Sequence, residues 1–518
     1  MTASRPPTLD ELIEKPIDGV KNQKALDHIG LLIDASCDHK SGAGTSRAFD
    51  LLEQVRTRKL SAKQQATAHY FTANAWGNKR AERENAGAWA WEQPEVHAQI
   101  LELRNAVRHE GFKKVPAVLR CRILTNLANQ FSFIGRFIEA AEMWDRALTE
   151  DGQFGMALGN HGVGLASYAH ELYDPGHAAV IFTAAHDLLS RAAASTSFDV
   201  GDTQARAYFE IYREKIEERV DVCAIRKKLA KRRHSIGRTA RERAYRRWCL
   251  ANRLFLNPLN DLGAVTIASR DPLTLPSLTT PVGSEMPWVF GFFNQMKQEL
   301  VSARFMLYEG LQGDKVHFSD RSVTLGNTLD YPSYSLAVER QRAAFRVAYS
   351  LLDKVGYFIN DYFALGHNPR SIYFRTVWFE ANGGTPKPLH QRFATSQNWM
   401  LRGLFWLSKD LFDEELKAST DPDSHALDTI RNHLEHKYLQ VHESWAFDPL
   451  QMTEGLCEHR YSVSRDDFGL KTLTLLKLAR AALIYLSLAI HREERQRPGS
   501  EGALASMIVD DWDDDWKR

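Results

Sequence analysis

Residues 473–490 form the most apolar stretch of the chain, and no other feature narrows its fold as much. A bilayer-spanning helix needs roughly 20 apolar residues, so length alone would allow a span. Lys477 and Arg480 fall inside the stretch, however, and charges at mid-span are expensive in lipid. The other way to use such a segment is as a helix buried on nearly all sides, which requires further helices around it. The sequence supplies them. Almost every long segment carries apolar residues at helical spacing, and Gly-rich strand–turn–strand patterns are missing. The expected fold class is all-α, with residues 473–490 as a buried bundle helix and no membrane contact.

A length of 518 residues suggests about three domains as a soft prior. The hydrophobic share of 44% can fill several cores, and a net charge of +1 gives no overall electrostatic bias, so local clusters carry the information. Residues 1–200 suggest helical hairpins. Leu127, Ala128 and Phe131 fall on one helix, Gly135 and Phe137 mark a turn, and Ala140, Trp144 and Ala147 fall on the next. Small residues let paired helices approach, and large ones fill the space between them. This order resembles a tetratricopeptide repeat (TPR). Gly152 stands where such repeats carry Pro. A following unit begins at Leu158 and Gly162 and is expected to carry an insertion near Asp174-Pro175-Gly176. A weaker unit includes Tyr70, Ala73 and Asn74.

Residues 201–262 form a basic segment. Between Arg226 and Arg247, Lys227, Lys228, Lys231, Arg232, Arg233, Arg238, Arg241, Arg243 and Arg246 stand against the single acid Glu242, with Tyr245 and Trp248 among the arginines. Such a run is either a solvated helix face or a surface for an RNA backbone. Residues 263–285 are rich in Pro, Thr and Ser and suggest a linker. Residues 286–498 form a second helical domain, with helices expected near 288–311, 334–365, 397–416, 421–445 and 466–496 and a break at Gly383-Gly384-Thr385-Pro386. Residues 499–518 make an acidic tail with Trp512 and Trp516, a disordered or docking segment. The cysteines, Cys37, Cys121, Cys223, Cys249 and Cys457, show no C-x-x-C pair. With no apolar signal core at the N-terminus, this points to the reducing cytoplasm.

The segment 421–445 carries the chemistry. Asp421 followed by Pro422 is a helix-start signal. Leu427, Ile430, Leu434, Tyr438, Val441 and Trp445 recur at spacings of three and four and define a core stripe. Asn432 and His436, four apart, then fall nearly opposite that stripe with Leu439 and Glu443, while Arg431 lies at its edge. An exposed Leu439 beside an open polar set implies a symmetric partner that covers the leucine and brings a second set alongside.

Arg431-Asn432-His433-Leu434-Glu435-His436 resembles the active-site motif of HEPN-superfamily ribonucleases: an Arg, a polar residue, and a His after four to six intervening positions. Tyr438, two past the His, matches an extended form in which a tyrosine is modified, although no nucleotidyltransferase segment is visible here. The resemblance implies a HEPN-type helical bundle behind TPR-like repeats, as in TPR-linked bacterial defence and toxin proteins. It further implies a homodimer, an RNA substrate, and cleavage without metal or other cofactor through attack by the ribose 2′-hydroxyl. His436 suits proton transfer near neutral pH, and Arg431 suits holding a phosphate. Whether His436 is base, acid or phosphate binder stays open, as does the nature of any protein partner or antitoxin at the repeat region.

Other readings compete. Arg431 and His436 could be ordinary surface groups, and Tyr438 a packing residue. His433, His436 and His442 lack H-E-x-x-H spacing and point in different directions, so a metal site is disfavoured. A non-catalytic HEPN/TPR scaffold is the functional alternative. DNA binding through the basic run has no helix-turn-helix support.

Overall fold

The computed structural model describes residues 7–83, 89–197, 203–231, 234–280, 287–313, 315–381, 387–419, 424–447, 459–497, 512 and 514–517. Over these residues the chain is helical almost throughout, in keeping with the all-α expectation. Consecutive helices pair: Asn22–Asp38 with Gly42–Arg56, Ala62–Ala81 with Pro94–Arg108, Ala117–Phe133 with Phe137–Glu150, and Gly155–Glu171 with Pro175–Ala194. Leu127, Ala128, Phe131, Phe137, Ala140, Trp144 and Ala147 are all buried, as their spacing requires. The expected insertion at Asp174-Pro175-Gly176 is instead a helix start. Asp174 accepts a hydrogen bond from the His177 N–H at 2.8 Å, and Pro175 occupies the first turn.

Two hydrophobic cores form. The smaller, around Leu26, Ile29, Leu51 and Val55, belongs to the first helices. The larger is continuous from Tyr70 to Ile490, so the N-terminal helical hairpins and the C-terminal bundle share one interior. The helix Arg465–Gln496 runs through it, with 83% of its most apolar window buried. Both charges that argued against a bilayer span are paired. Arg480 meets Asp261 at 2.7 Å, and Lys477 meets Glu142 at 3.0 Å.

The helix Trp399–Phe412 forms much of the seam between the two halves. Asp410, 2% exposed, accepts two hydrogen bonds from Arg104 at 2.8 and 2.6 Å and also pairs with Arg136. Trp406 Nε1 donates to the Trp91 carbonyl, and Trp91 Nε1 to that of Ser396, each at 3.0 Å. At Gly135 (φ +90°) the backbones touch: a Cβ there would lie 2.0 Å from the Trp399 carbonyl oxygen.

The segment 263–285, expected as a linker, is described as far as residue 280. Up to residue 280 it is irregular but packed, with Ala268, Leu273 and Leu275 buried and Asp271 held by Arg304 through two hydrogen bonds of 2.9 Å. Its Pro and Thr content blocks regular helix without preventing burial. Within the basic segment, Arg241 pairs with Glu309, Arg246 bonds the Ser269 carbonyl, and Arg243 bonds the Arg238 carbonyl, so these three serve the fold. Lys227, Lys228 and Lys231 are exposed on Val222–Lys231. Arg232 and Arg233 lie outside the described residues, as do Asp421, Pro422, Cys457, the 383–386 break and most of the acidic tail.

Gly135→Ala should cost about 2–3 kcal/mol, because both the left-handed backbone and the contact resist a side chain; urea unfolding measures it. His161 supplies a pH dependence. Burial against Trp144 pushes its imidazole down to about 4, with Asp145 opposing the shift. The unfolded chain therefore takes up the proton first. Stability is full above about pH 6.5 and falls as the pH drops toward 4. His161→Gln should remove about 2 kcal/mol of the loss between pH 7 and pH 5, measured by unfolding at both values.

Candidate functional site

The helix expected over 421–445 is shorter. It runs Ser424–His436, and the chain then forms a strand, β1 (Tyr438–His442), paired in parallel with β2 (Arg460–Ser464). The register sets Leu439 against Tyr461 and Val441 against Val463. Leu427, Ile430 and Leu434 lie in the core as expected, but the rest of the supposed stripe divides. Val441 is buried in β1, Tyr438 is 39% exposed, and Trp445 is 87% exposed. Leu439, expected on an open face, is 3% exposed. Contrary to the expectation, Leu439 is covered within its own chain and needs no partner to bury it. The cause is non-local: residues 437–442 tolerate helix or strand, and pairing with residues 460–464 selects strand.

Neighbours fix this edge. The Ser333 N–H donates to the Val441 carbonyl at 2.7 Å, and Gln440 Nε2 donates to Asp330 at 2.6 Å. The Tyr438 hydroxyl bonds that of Tyr334, whose own pKa is raised to about 12, mainly by burial and then by that contact.

The three motif residues take distinct positions. His436 is exposed and is the last residue of its helix. Arg431 is half-buried; its Nη1 donates to Asn432 Oδ1 at 3.0 Å, and its guanidinium lies 5.5 Å from the Tyr349 ring centroid. It is thus oriented toward the helix Leu336–Tyr362, and among the described residues no hydrogen bond joins it to His436. His433 has a local role, with Nδ1 2.7 Å from the Thr429 carbonyl and its ring against Tyr461. His442 sits apart on β1, buried, and burial lowers its pKa. No group of three His, Cys, Asp or Glu side chains placed to hold a metal occurs among the described residues.

Four residues that the sequence reading missed face this helix from Leu336–Tyr362. Arg346 donates to the Leu434 carbonyl at 2.7 Å and pairs with Glu435 at 3.2 Å, satisfying a carbonyl of the last turn. Arg342 donates to the Leu439 carbonyl at 2.8 Å. The Tyr349 hydroxyl lies 3.5 Å from Asp428, and burial pushes its pKa up. Burial also raises the Asp353 carboxyl, against the Phe374 N–H and the Arg431 charge. The spacing of Arg342, Arg346, Tyr349 and Asp353 places all four on one helical face, a signal that the sequence does contain.

The family model described as LA2681-like HEPN matches residues 280–493, which include all of these groups. This part of the chain is a HEPN-superfamily domain. No curated protein and no solved structure matches the chain.

The strand has a direct check. Leu439→Ala should cost about 2–4 kcal/mol, as for a buried leucine. Trp445→Ala should change stability by less than about 0.5 kcal/mol. A continued helix would demand a large loss at Trp445, so denaturant unfolding of both variants separates the two structures.

Proposed function

We propose that the protein is a metal-independent endoribonuclease. One observation carries the reading: Arg431, oriented by Asn432 and Tyr349, stands on the same short helix as an exposed His436, inside a HEPN domain. The 2′-hydroxyl oxygen attacks the adjacent phosphorus and gives up its proton, and the bond to the 5′ oxygen breaks. The products are a 2′,3′-cyclic phosphate and a 5′-hydroxyl end. His436, open to solvent, handles a proton. Arg431 stabilises the charge that builds on the phosphoryl oxygens, while Arg346 and Arg342 hold the end of its helix and the start of β1 in place. The need for a 2′-hydroxyl makes the substrate RNA.

Among the described residues, His436 is left open to solvent. A second protomer placed there would bring a second Arg/Asn/His set and would cover Tyr438 and Trp445, not Leu439. In a cell the enzyme would act as a toxin or phage-defence effector, with the TPR-like region receiving a partner or antitoxin. Exposed Lys227, Lys228 and Lys231 offer a second contact to the RNA backbone.

His436→Ala and Arg431→Ala should each lower RNA cleavage by about 10²-fold or more while keeping the wild-type melting temperature. Cleavage should persist in EDTA, and sequenced fragments should end in cyclic phosphate. Equal degradation by wild type and His436→Ala would remove the catalytic assignment and favour a binding scaffold.

A further inference from the structure

Arg402 lies on the helix Trp399–Phe412, at the seam with the repeats, and is only 1% exposed. Its Nε and Nη2 are buried without a hydrogen-bond partner, and no carboxylate pairs with it among the described residues. Its guanidinium lies 4.5 Å from the centroid of Phe133 and 5.7 Å from that of Trp89. Beside it, Arg80 lies 3.9 Å from the same Phe133 ring and donates to Gln130 at 3.3 Å. Burial, then the Arg80 charge, pushes Arg402 down to about 10. The acid acting on Arg80 is Glu95, itself paired with Arg83 at 2.6 Å.

Burying a cation with unsatisfied donors is costly, and a second cation beside it adds to that cost. Elsewhere along this seam the protein pairs its buried cations with an acid: Arg104 and Arg136 share Asp410. At Arg402 no such acid is supplied among the described residues. Aromatic faces offset part of the charge but cannot accept in-plane N–H bonds. A buried guanidinium with free planar donors suits a tetrahedral dianion, which accepts two bonds from one Arg and leaves oxygens for a second cation nearby. Trp89, 38% exposed, places the Arg402 guanidinium next to a solvent-facing side chain.

We propose that Arg402 and Arg80 form a binding site for the phosphate group of a small molecule, seated between the repeats and the HEPN domain. A ligand there would touch Arg80 on Ala62–Ala81 and Arg402 on Trp399–Phe412, and so would link the two halves. Nothing in this assignment requires RNA cleavage.

The test uses the full chain, with inorganic phosphate, pyrophosphate and a nucleoside monophosphate as separate probes. At least one probe should raise the melting temperature beyond sodium chloride of equal ionic strength and give a saturable calorimetric heat. Arg402→Met should lose this response, yet melt at or above wild type in phosphate-free buffer, because it removes an uncompensated buried charge. Arg80→Gln, at the edge of the site, should weaken binding about tenfold or more and remains readable if Arg402→Met does not fold. Binding of inorganic phosphate would define a bare anion site, whereas binding of the nucleotide alone would add its sugar and base to the recognised groups. If none of the three probes exceeds the salt control, or if the folded variants respond as wild type does, the site does not exist.

Discussion

Arg480 joins parts of the chain that are far apart in sequence. It lies in the middle of the core helix, 2% exposed, and donates to the Phe255 carbonyl at 2.6 Å, the Asn257 carbonyl at 3.0 Å and Asp261 at 2.7 Å. Asp261 in turn accepts from the Tyr168 hydroxyl at 3.0 Å. The HEPN core helix, the segment after the basic run and the N-terminal helix Gly155–Glu171 therefore meet at one buried pair. A buried pair contributes little net stability against a well-packed apolar substitute, but losing one partner costs about 3–5 kcal/mol. It fixes the arrangement, because any other packing would strand a charge in the interior.

The candidate site depends on that frame through the helices around the core helix. Leu336–Tyr362 presents Arg342, Arg346, Tyr349 and Asp353 to the short motif helix. Two of these bind backbone carbonyls at the helix end and the start of β1, and the other two surround Arg431. The motif thus has one anchored residue, Arg431, and one exposed residue, His436. Such a division suits a phosphate holder that must be oriented and a proton carrier that must meet substrate.

The seam between repeats and bundle handles charge in two ways. Around Asp410, cations are paired with a carboxylate; around Arg402, among the described residues, cations and aromatic rings meet with no acid. The shared core shows why such a place matters. Because both halves share that core, a group bound at the seam touches helices of both.

Much of this was legible in the sequence. Helical spacing gave four of the five expected bundle helices close to their observed limits, and Lys477 and Arg480 marked the core helix as a protein-buried one. The Arg431–His436 motif pointed to the family that the comparison supports. Local pattern failed where partners are distant. Leu434, Tyr438, Val441 and Trp445 satisfy a helical period, yet pairing with residues 460–464 turned the second half into strand, burying Leu439 and exposing Trp445. In the same way 263–280, irregular by composition, became core because Arg304 and the neighbouring helices required Asp271, Leu273 and Leu275. Periodicity and residue type by themselves determined which segments are helices and which residues could do chemistry. Only the tertiary structure decided where the motif helix stops, what orients Arg431, and which buried arginines have acids, because each of these depends on groups far away in the chain.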